Sequence, residues 1–157
     1  MRVVTAIVGT LVGAVVVFLG LLLAGLRWQL GPVVDFIRRM NRSATNPRVM
    51  RTAGTAQTHT SVIQHISRKS GCTYETPIDT IETCSGLLIA LPYGTRADWL
   101  RNVLDAGSAT VVTNGERVDV NRPTIVAISD LAESIPRRTM RMLRLFGVSQ
   151  CLHLERS

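Results

Sequence analysis

Residues 109–128 read ATVVTNGERVDVNRPTIVAI, and this stretch fixes the character of the domain. Two runs rich in β-branched residues flank Asn114-Gly115. Asn-Gly between such runs is the strongest short signal for a β-hairpin, because a type I′ turn needs positive φ at both central residues and these two tolerate it. Working outward, short apolar runs broken by turn residues predict further strands over 61–67 (SVIQHIS), 73–81 (TYETPIDTI) and 86–93 (GLLIALPY). Between them, RADWLRNVLDAG (96–107) predicts a helix, with Leu100, Val103 and Leu104 on one stripe and Gly107 as its stop. A last helix is expected in IPRRTMRMLRLFG, after Ser134, and CLHLERS closes the chain as a strand. The order β-β-β-α-β-β-α-β has too few helices for a parallel β/α sheet, so an α+β fold built on a small antiparallel barrel or roll is expected.

Ahead of this domain the texture is different. Residues 3–26, VVTAIVGTLVGAVVVFLGLLLAGL, contain no charged side chain. As a helix they would be roughly 36 Å long, more than the ~30 Å hydrocarbon core of a bilayer. A cleaved secretory signal has a shorter apolar stretch preceded by its basic end; here the basic end follows. Up to position 51 the chain carries Arg2, Arg27, Arg38, Arg39, Arg42, Arg48 and Arg51 against Asp35 alone. The positive-inside bias then predicts a single-pass anchor over 1–27, in the cell membrane, with the C-terminal domain in the cytoplasm. A cleaved signal and a buried core helix are the competing readings. Residues 28–44 form a juxtamembrane segment in which Val33, Val34, Ile37 and Met40 recur at helical spacing, so that a surface helix either lies on the membrane or packs on the domain. Residues 41–60 read as a mobile connector, and 45–157 as the globular domain.

The net charge of +7 sits mostly in the first part, since residues 52–157 hold eleven bases and ten acids. With few aromatics as well, a nucleic-acid partner is not expected, whereas a basic strip beside an apolar helix suits anionic lipid headgroups. Cys72, Cys84 and Cys151 have no paired spacing and read as free thiols in a reducing compartment. His59, His65 and His153 form no metal-ligand pattern, and the isolated acids Asp79, Glu82, Asp105 and Asp119 read as solvated positions.

SRKSGCTYETP (67–77) contains the only lysine of the chain. It is not a phosphate-binding P-loop, because no glycine precedes Lys69 at the required spacing and a strand follows. Nor does it offer the Ser-x-x-Lys spacing of a serine acyl enzyme. An anion cradle remains: Arg68 as a two-pronged donor, Lys69 as a point charge, Ser70 as a hydroxyl, and Gly71 for close approach of the backbone.

Ser67-Arg68-Lys69-Ser70-Gly71 with Tyr74-Glu75-Thr76-Pro77 resembles the G-R-(R/K)-S-G-x-x-(Y/R)-x-T-P signature of the deazaflavin-dependent nitroreductase family. Leu91-Pro92-Tyr93-Gly94, Asp98-Trp99-Leu100-Arg101-Asn102-Val103, Ala106-Gly107, Asn114-Gly115-Glu116 and Arg122-Pro123 are similar to that family in the same order, over about residues 45–155. The resemblance implies a split β-barrel of the flavin-reductase type that binds coenzyme F420. By position, Arg68, Lys69, Ser70 and Gly71 would hold the tail phosphate, Thr76 and Pro77 would lie near the sugar-like chain or ring, and Tyr93 and Gly94 would line the ring edge. Trp99 and Asn102 match family positions and are equally explicable as structural. The family's first glycine is Ser67 here, which would strain the turn if that position required positive φ.

A reduced deazaflavin donates hydride from its own ring carbon, so no catalytic side chain is expected. The implied activity is an oxidoreductase acting on a quinone-like or nitro-type lipophilic acceptor, with the anchor holding it beside substrates dissolved in the bilayer. A non-catalytic lipid or fatty-acid carrier of the same fold is the alternative. The sequence leaves the oligomeric state open.

Overall fold

The computed structural model describes residues 2–28, 30–41, 45–131 and 135–157, with side chains from residue 8 onward. Arg42 of the expected surface helix and Ser134 ahead of the last helix lie outside the described residues. Six strands, β1 (Thr60–Ile66), β2 (Thr73–Thr83), β3 (Gly86–Ala90), β4 (Ser108–Thr113), β5 (Glu116–Ala127) and β6 (Gln150–Arg156), form a closed barrel in the order β1-β2-β3-β6-β5-β4. Every neighbouring pair is antiparallel, and β1 closes the barrel against β4 through Val62↔Val112 and Ile63↔Val111. Closure leaves no strand with unpaired edges. The fold is therefore α+β on a barrel, as the strand and helix order implied.

Side-chain alternation sends one set of strand residues into the barrel interior and, on β3 and β6, the alternate set into a second core outside it. Ile63, Ile78, Leu87, Ile89, Leu91, Val111, Val120, Leu152 and Leu154 fill the barrel interior. Helix α4 (Asp98–Ala106) follows a short 3-10 turn at Gly94–Arg96 and adds Leu100 and Val103 to the same cluster; both are fully buried. It ends as its sequence predicts, on Gly107 in the left-handed region at φ 70°. The alternate residues of β3 and β6, Leu88 and Cys151, form a second cluster with Ile128, Ile135, Met140 and Val148, so that helix α5 (Arg137–Leu145) covers the barrel from outside. Burial pushes the Cys151 thiol up to about 11, which suits an inert core sulfur, whereas Cys72 and Cys84 are exposed. The expected hairpin is present, with Thr113 opposite Glu116 and Asn114 and Gly115 at φ 52° and 84°.

Helix α1 (Arg2–Arg27) is long and apolar enough to cross a membrane. Over residues 8–21 its side chains are exposed, among them Leu11, Val12, Val15, Val16, Val17, Phe18 and Leu21. Helix α2 (Gly31–Met40) turns back at once, with the Leu30 amide donating to the Gly25 carbonyl and Val33 seated where a side chain at Gly25 would be. Its stripe divides. Val34 and Ile37 are buried within the chain, while Met40 and Phe36 are exposed.

Two boundaries differ from expectation. β3 stops at Ala90 because Leu91 and Gly94 close a turn, and β2 continues to Thr83 because it pairs with β3 to the Thr83↔Gly86 hairpin. The segment read as a free connector is folded onto the barrel instead. A short helix α3 (Asn46–Val49) is followed by turns, and buried Gly54 donates to the Thr60 carbonyl and accepts from the Gly115 amide. Glycine is required there, at φ 78° against Val112. Composition marks such a segment as polar and irregular, but irregular chain whose amides are paired need not move.

At Gly86 a Cβ would overlap the Leu154 carbonyl of β6, on a backbone at φ 142°. Gly86→Ala is expected to cost more than about 2 kcal/mol and to lower Tm by roughly 4 °C or more, read by thermal unfolding in detergent.

Candidate functional site

The turn from Ser67 to Cys72 joins β1 to β2 at the end of the barrel that α4 covers. Ser67 organises it. Its amide donates to the Cys72 carbonyl at 2.8 Å, its carbonyl accepts from the Gly71 amide at 2.9 Å, and its Oγ accepts from the amides of Lys69 and Ser70 at 3.3 and 3.2 Å. The left-handed position is taken by Gly71 at φ 67°, and Ser67 is not among the positive-φ residues, so serine in place of glycine introduces no strain. It has a different effect: the amides that an anion cradle would offer are already used by the serine hydroxyl. The Ser70 Oγ accepts from the Cys72 amide, which leaves its O–H free to donate.

Arg68 faces α4. Its Nη1 donates to Asn102 Oδ1 at 2.8 Å and to the Asp98 carbonyl at 3.4 Å, its Nη2 pairs with Asp98 Oδ1 at 3.2 Å, and its amide reaches Asn102 Oδ1 at 3.3 Å. The hydrogen bond from Arg68 holds the Asp98 carboxyl below its usual range, and the charges of Arg68, Lys69 and Arg101 act in the same direction. One exposed carboxylate thus answers three cations.

From Asn102 the network runs inward. Because a guanidinium can only donate, the Asn102 oxygen must face Arg68 and its amide nitrogen must face His65. Asn102 Nδ2 then donates to His65 Nδ1 at 3.2 Å, and His65 Nε2–H donates to Thr76 Oγ1 at 3.2 Å. His65 is 5% exposed and lies 6.2 Å from the Tyr74 ring in a stacked arrangement. Burial lowers its pKa from 6.5, and protonation would set two donors against each other at Nδ1.

The structure thus brings Arg68, Asn102 and Thr76 together, with Lys69, Ser70 and Gly71 on the adjoining turn. His65 is the link. No spacing rule marks it, because its partners come from three separate segments; the one available signal was its place in an alternating run beside Ile63. Arg101, one turn of helix beyond Asp98, also belongs to this charged group. The Trp99 side chain packs against the barrel core.

Pro77 and Tyr93 fall elsewhere. Thr76 pairs with Ile63, which points into the barrel, and Pro77 pairs with Val62 on the outer face, so adjacent residues of the motif project to opposite sides of the sheet. Asp79 shares the outer face with Pro77. Burial raises the Tyr93 pKa and the Asp79 charge adds to the rise, against a hydrogen bond from Asn41 Nδ2 at 2.7 Å. Tyr93 therefore ties the end of the juxtamembrane segment to the barrel. Gly94, at φ 67°, completes the turn in which its amide donates to the Leu91 carbonyl. From Cys72 to Pro77 is five residues of extended chain, roughly 17 Å. A groove of about 390 Å³ runs past His65, Thr73, Ser108 and Thr110 and is lined by none of the ten residues singled out from sequence. No group of three His, Cys, Asp or Glu side chains able to hold a metal occurs among the described residues.

Because folding excludes a proton from His65 that the unfolded chain binds below 6.5, stability contributed by this site is complete above that value and is lost as pH falls through the interval down to the folded-state pKa. His65→Gln is expected to flatten the dependence of Tm on pH between neutrality and mild acid. Asn102→Ala, which leaves His65 Nδ1 and part of Arg68 without partners, is expected to cost about 1–3 kcal/mol.

No family model and no curated protein matches the chain. Among solved structures it is similar to a protein of unknown function from Agrobacterium tumefaciens, at 17% identity over 70% of this chain with a TM-score of 0.46. It is also similar to the heme storage protein HutZ of Vibrio cholerae, at 10% identity over 71% of this chain and 89% of that one with a TM-score of 0.45. The match covers 54% of the Agrobacterium chain, about half its length. Likeness at this level carries no argument about activity.

Proposed function

We propose that the chain is a membrane-anchored oxidoreductase of the split-barrel type that holds coenzyme F420 at the turn 67–72 and serves hydride transfer to a lipophilic acceptor. The observation that carries this reading is the presentation of Lys69 and Ser70. Both are exposed, on a turn whose backbone is fixed by Ser67 and Gly71 and whose flank is tied to α4 by Arg68. The donor set suits the anionic end of the cofactor: an ammonium, a hydroxyl and, on the adjoining helix, the Arg101 guanidinium. Arg68 is a positioning residue in this scheme, since its guanidinium already serves Asp98 and Asn102. Pro77, roughly 17 Å along β2 from the cationic turn, suits the far end of an extended ligand. When bound, the reduced deazaflavin supplies the hydride, and the chain supplies position and charge.

Helix α1 and the arginine excess that follows it support an anchor with the domain on the cytoplasmic side, beside substrates dissolved in the bilayer. The alternative, a lipid carrier with its cargo inside the barrel, is opposed by the packing. The interior is filled by Ile63, Leu87, Leu152, Leu154 and their neighbours, and opening a cavity there would cost the burial that holds the domain together.

The test is equilibrium binding of oxidised F420 to the full chain in lipid nanodiscs. Micromolar affinity is expected. Lys69→Ala is expected to weaken it by roughly tenfold to a hundredfold at unchanged Tm, as for loss of one charge-assisted hydrogen bond. Arg68→Ala is expected to lower affinity and Tm together. Absence of binding to the intact protein, or affinity indifferent to Lys69, would refute the proposal.

A further inference from the structure

Helix α5 has a face that the barrel does not use. Met140 is buried against the second core and Leu143 packs beside it, but Met142 is 53% exposed and Leu145 is 67% exposed. The same nine-residue helix carries Arg137, Arg138, Arg141 and Arg144 and no acid. Among the described residues none of these four takes part in an ion pair. The rest of the domain, residues 45–157, holds nine bases against ten acids, so α5 is a concentrated positive element on an otherwise near-neutral domain.

Its position is fixed relative to α1. The turn after α5 passes through Gly147 at φ 68°, where a Cβ would lie 2.8 Å from the Arg27 carbonyl oxygen and 2.9 Å from its Cα. The end of the apolar helix therefore rests on the backbone two residues past Leu145. If α1 spans the bilayer, Arg27 marks the headgroup layer, and Leu145 is two residues, at most roughly 7 Å of chain, from the Gly147 contact with it. A nine-residue helix is about 13 Å long, and Arg144 and Arg141, toward its C-terminal end, are the guanidinium groups nearest along the chain to that contact. Trp28, next to Arg27 and 71% exposed, stands at the same level, as aromatic side chains do at a membrane interface.

We infer that α5 is a second membrane contact, docking the barrel onto anionic lipid headgroups through Arg137, Arg138, Arg141 and Arg144 while Leu145 and Met142 enter the interface. The inference rests on the reading of α1 as a membrane anchor. Charge complementarity selects the partner: a cationic helix that forms no ion pair among the described residues and has two exposed apolar side chains matches a surface of phosphodiester headgroups over acyl chains. It also assigns a role to charge that the near-neutral total of the domain conceals.

The test uses the full chain in nanodiscs of phosphatidylcholine with or without phosphatidylglycerol, the lipids being brominated near the headgroup end of their acyl chains. In the natural sequence, Trp28 reports whether the end of α1 lies in the interface. In a Trp28→Phe background, Leu145→Trp and, separately, Met142→Trp report α5, with Trp99 as the unquenched reference. Both sites are exposed, so neither change disturbs the core. Quenching at position 145 or 142 is expected in anionic nanodiscs and is expected to fall severalfold in pure phosphatidylcholine. Combining either reporter with Arg138→Gln and Arg141→Gln should lower the docked population by roughly tenfold or more. Quenching of Trp28 without quenching at either α5 position would overturn the inference and leave the anchor intact. Absence of quenching at Trp28 as well would remove the anchor and the inference together.

Discussion

The Asn102 carboxamide stands between a guanidinium that can only donate and an imidazole that must therefore accept. That polarity orders the end of the barrel. With the amide turned one way, Arg68 holds the β1–β2 turn against α4, His65 is fixed in its Nε2–H tautomer, and Thr76 of β2 receives the last proton of the series. Asn102 is itself 5% exposed, beside Leu100 and Val103, which enter the barrel core. A polar chain placed next to dry packing is stable only when every member is satisfied, and here no buried side-chain polar atom among the described residues lacks a partner. The network thus links hydrophobic closure of the barrel to the placement of the exposed cation at Lys69.

Much of the architecture was legible in the sequence because its signals were local. Asn114-Gly115 named its turn, Gly107 stopped its helix, and alternating apolar residues marked strands to within a few positions. The antiparallel order followed from having two helices among six strands. Closure of β1 on β4 was not legible, since it depends on the register of Val62 and Ile63 against residues about fifty positions away. The segment around Gly54 was read as mobile for a related reason: its composition is that of a loop, but the Gly54 amide donates to Thr60 and its carbonyl accepts from Gly115, which no local pattern reveals.

The site divides similarly. Arg68, Lys69, Ser70 and Gly71 were recognisable as a cationic turn, and they occupy one. Their division of labour was not recognisable, because it depends on what α4 places opposite them. Arg68 is taken up by Asp98 and Asn102, whereas Lys69 keeps its ammonium outward. Thr76 and Pro77, adjacent in the motif, part company as strand neighbours must. The charge of the domain was likewise averaged in the sequence total: four arginines on one helix are nearly hidden in a sum over 106 residues, and only their grouping beside Gly147 and the end of α1 gives them a common direction.

The Ser67 hydroxyl occupies the amides of Lys69 and Ser70. A concavity of amides discriminates among oxyanions by shape, because each N–H must meet an oxygen along a set direction. A flexible ammonium and a rotatable hydroxyl impose no such geometry. Under the proposed function, selectivity at this turn would be a matter of charge density, so phosphate, sulfate and carboxylate termini would be distinguished weakly, and the choice among ligands would fall to whatever the remainder of the molecule touches.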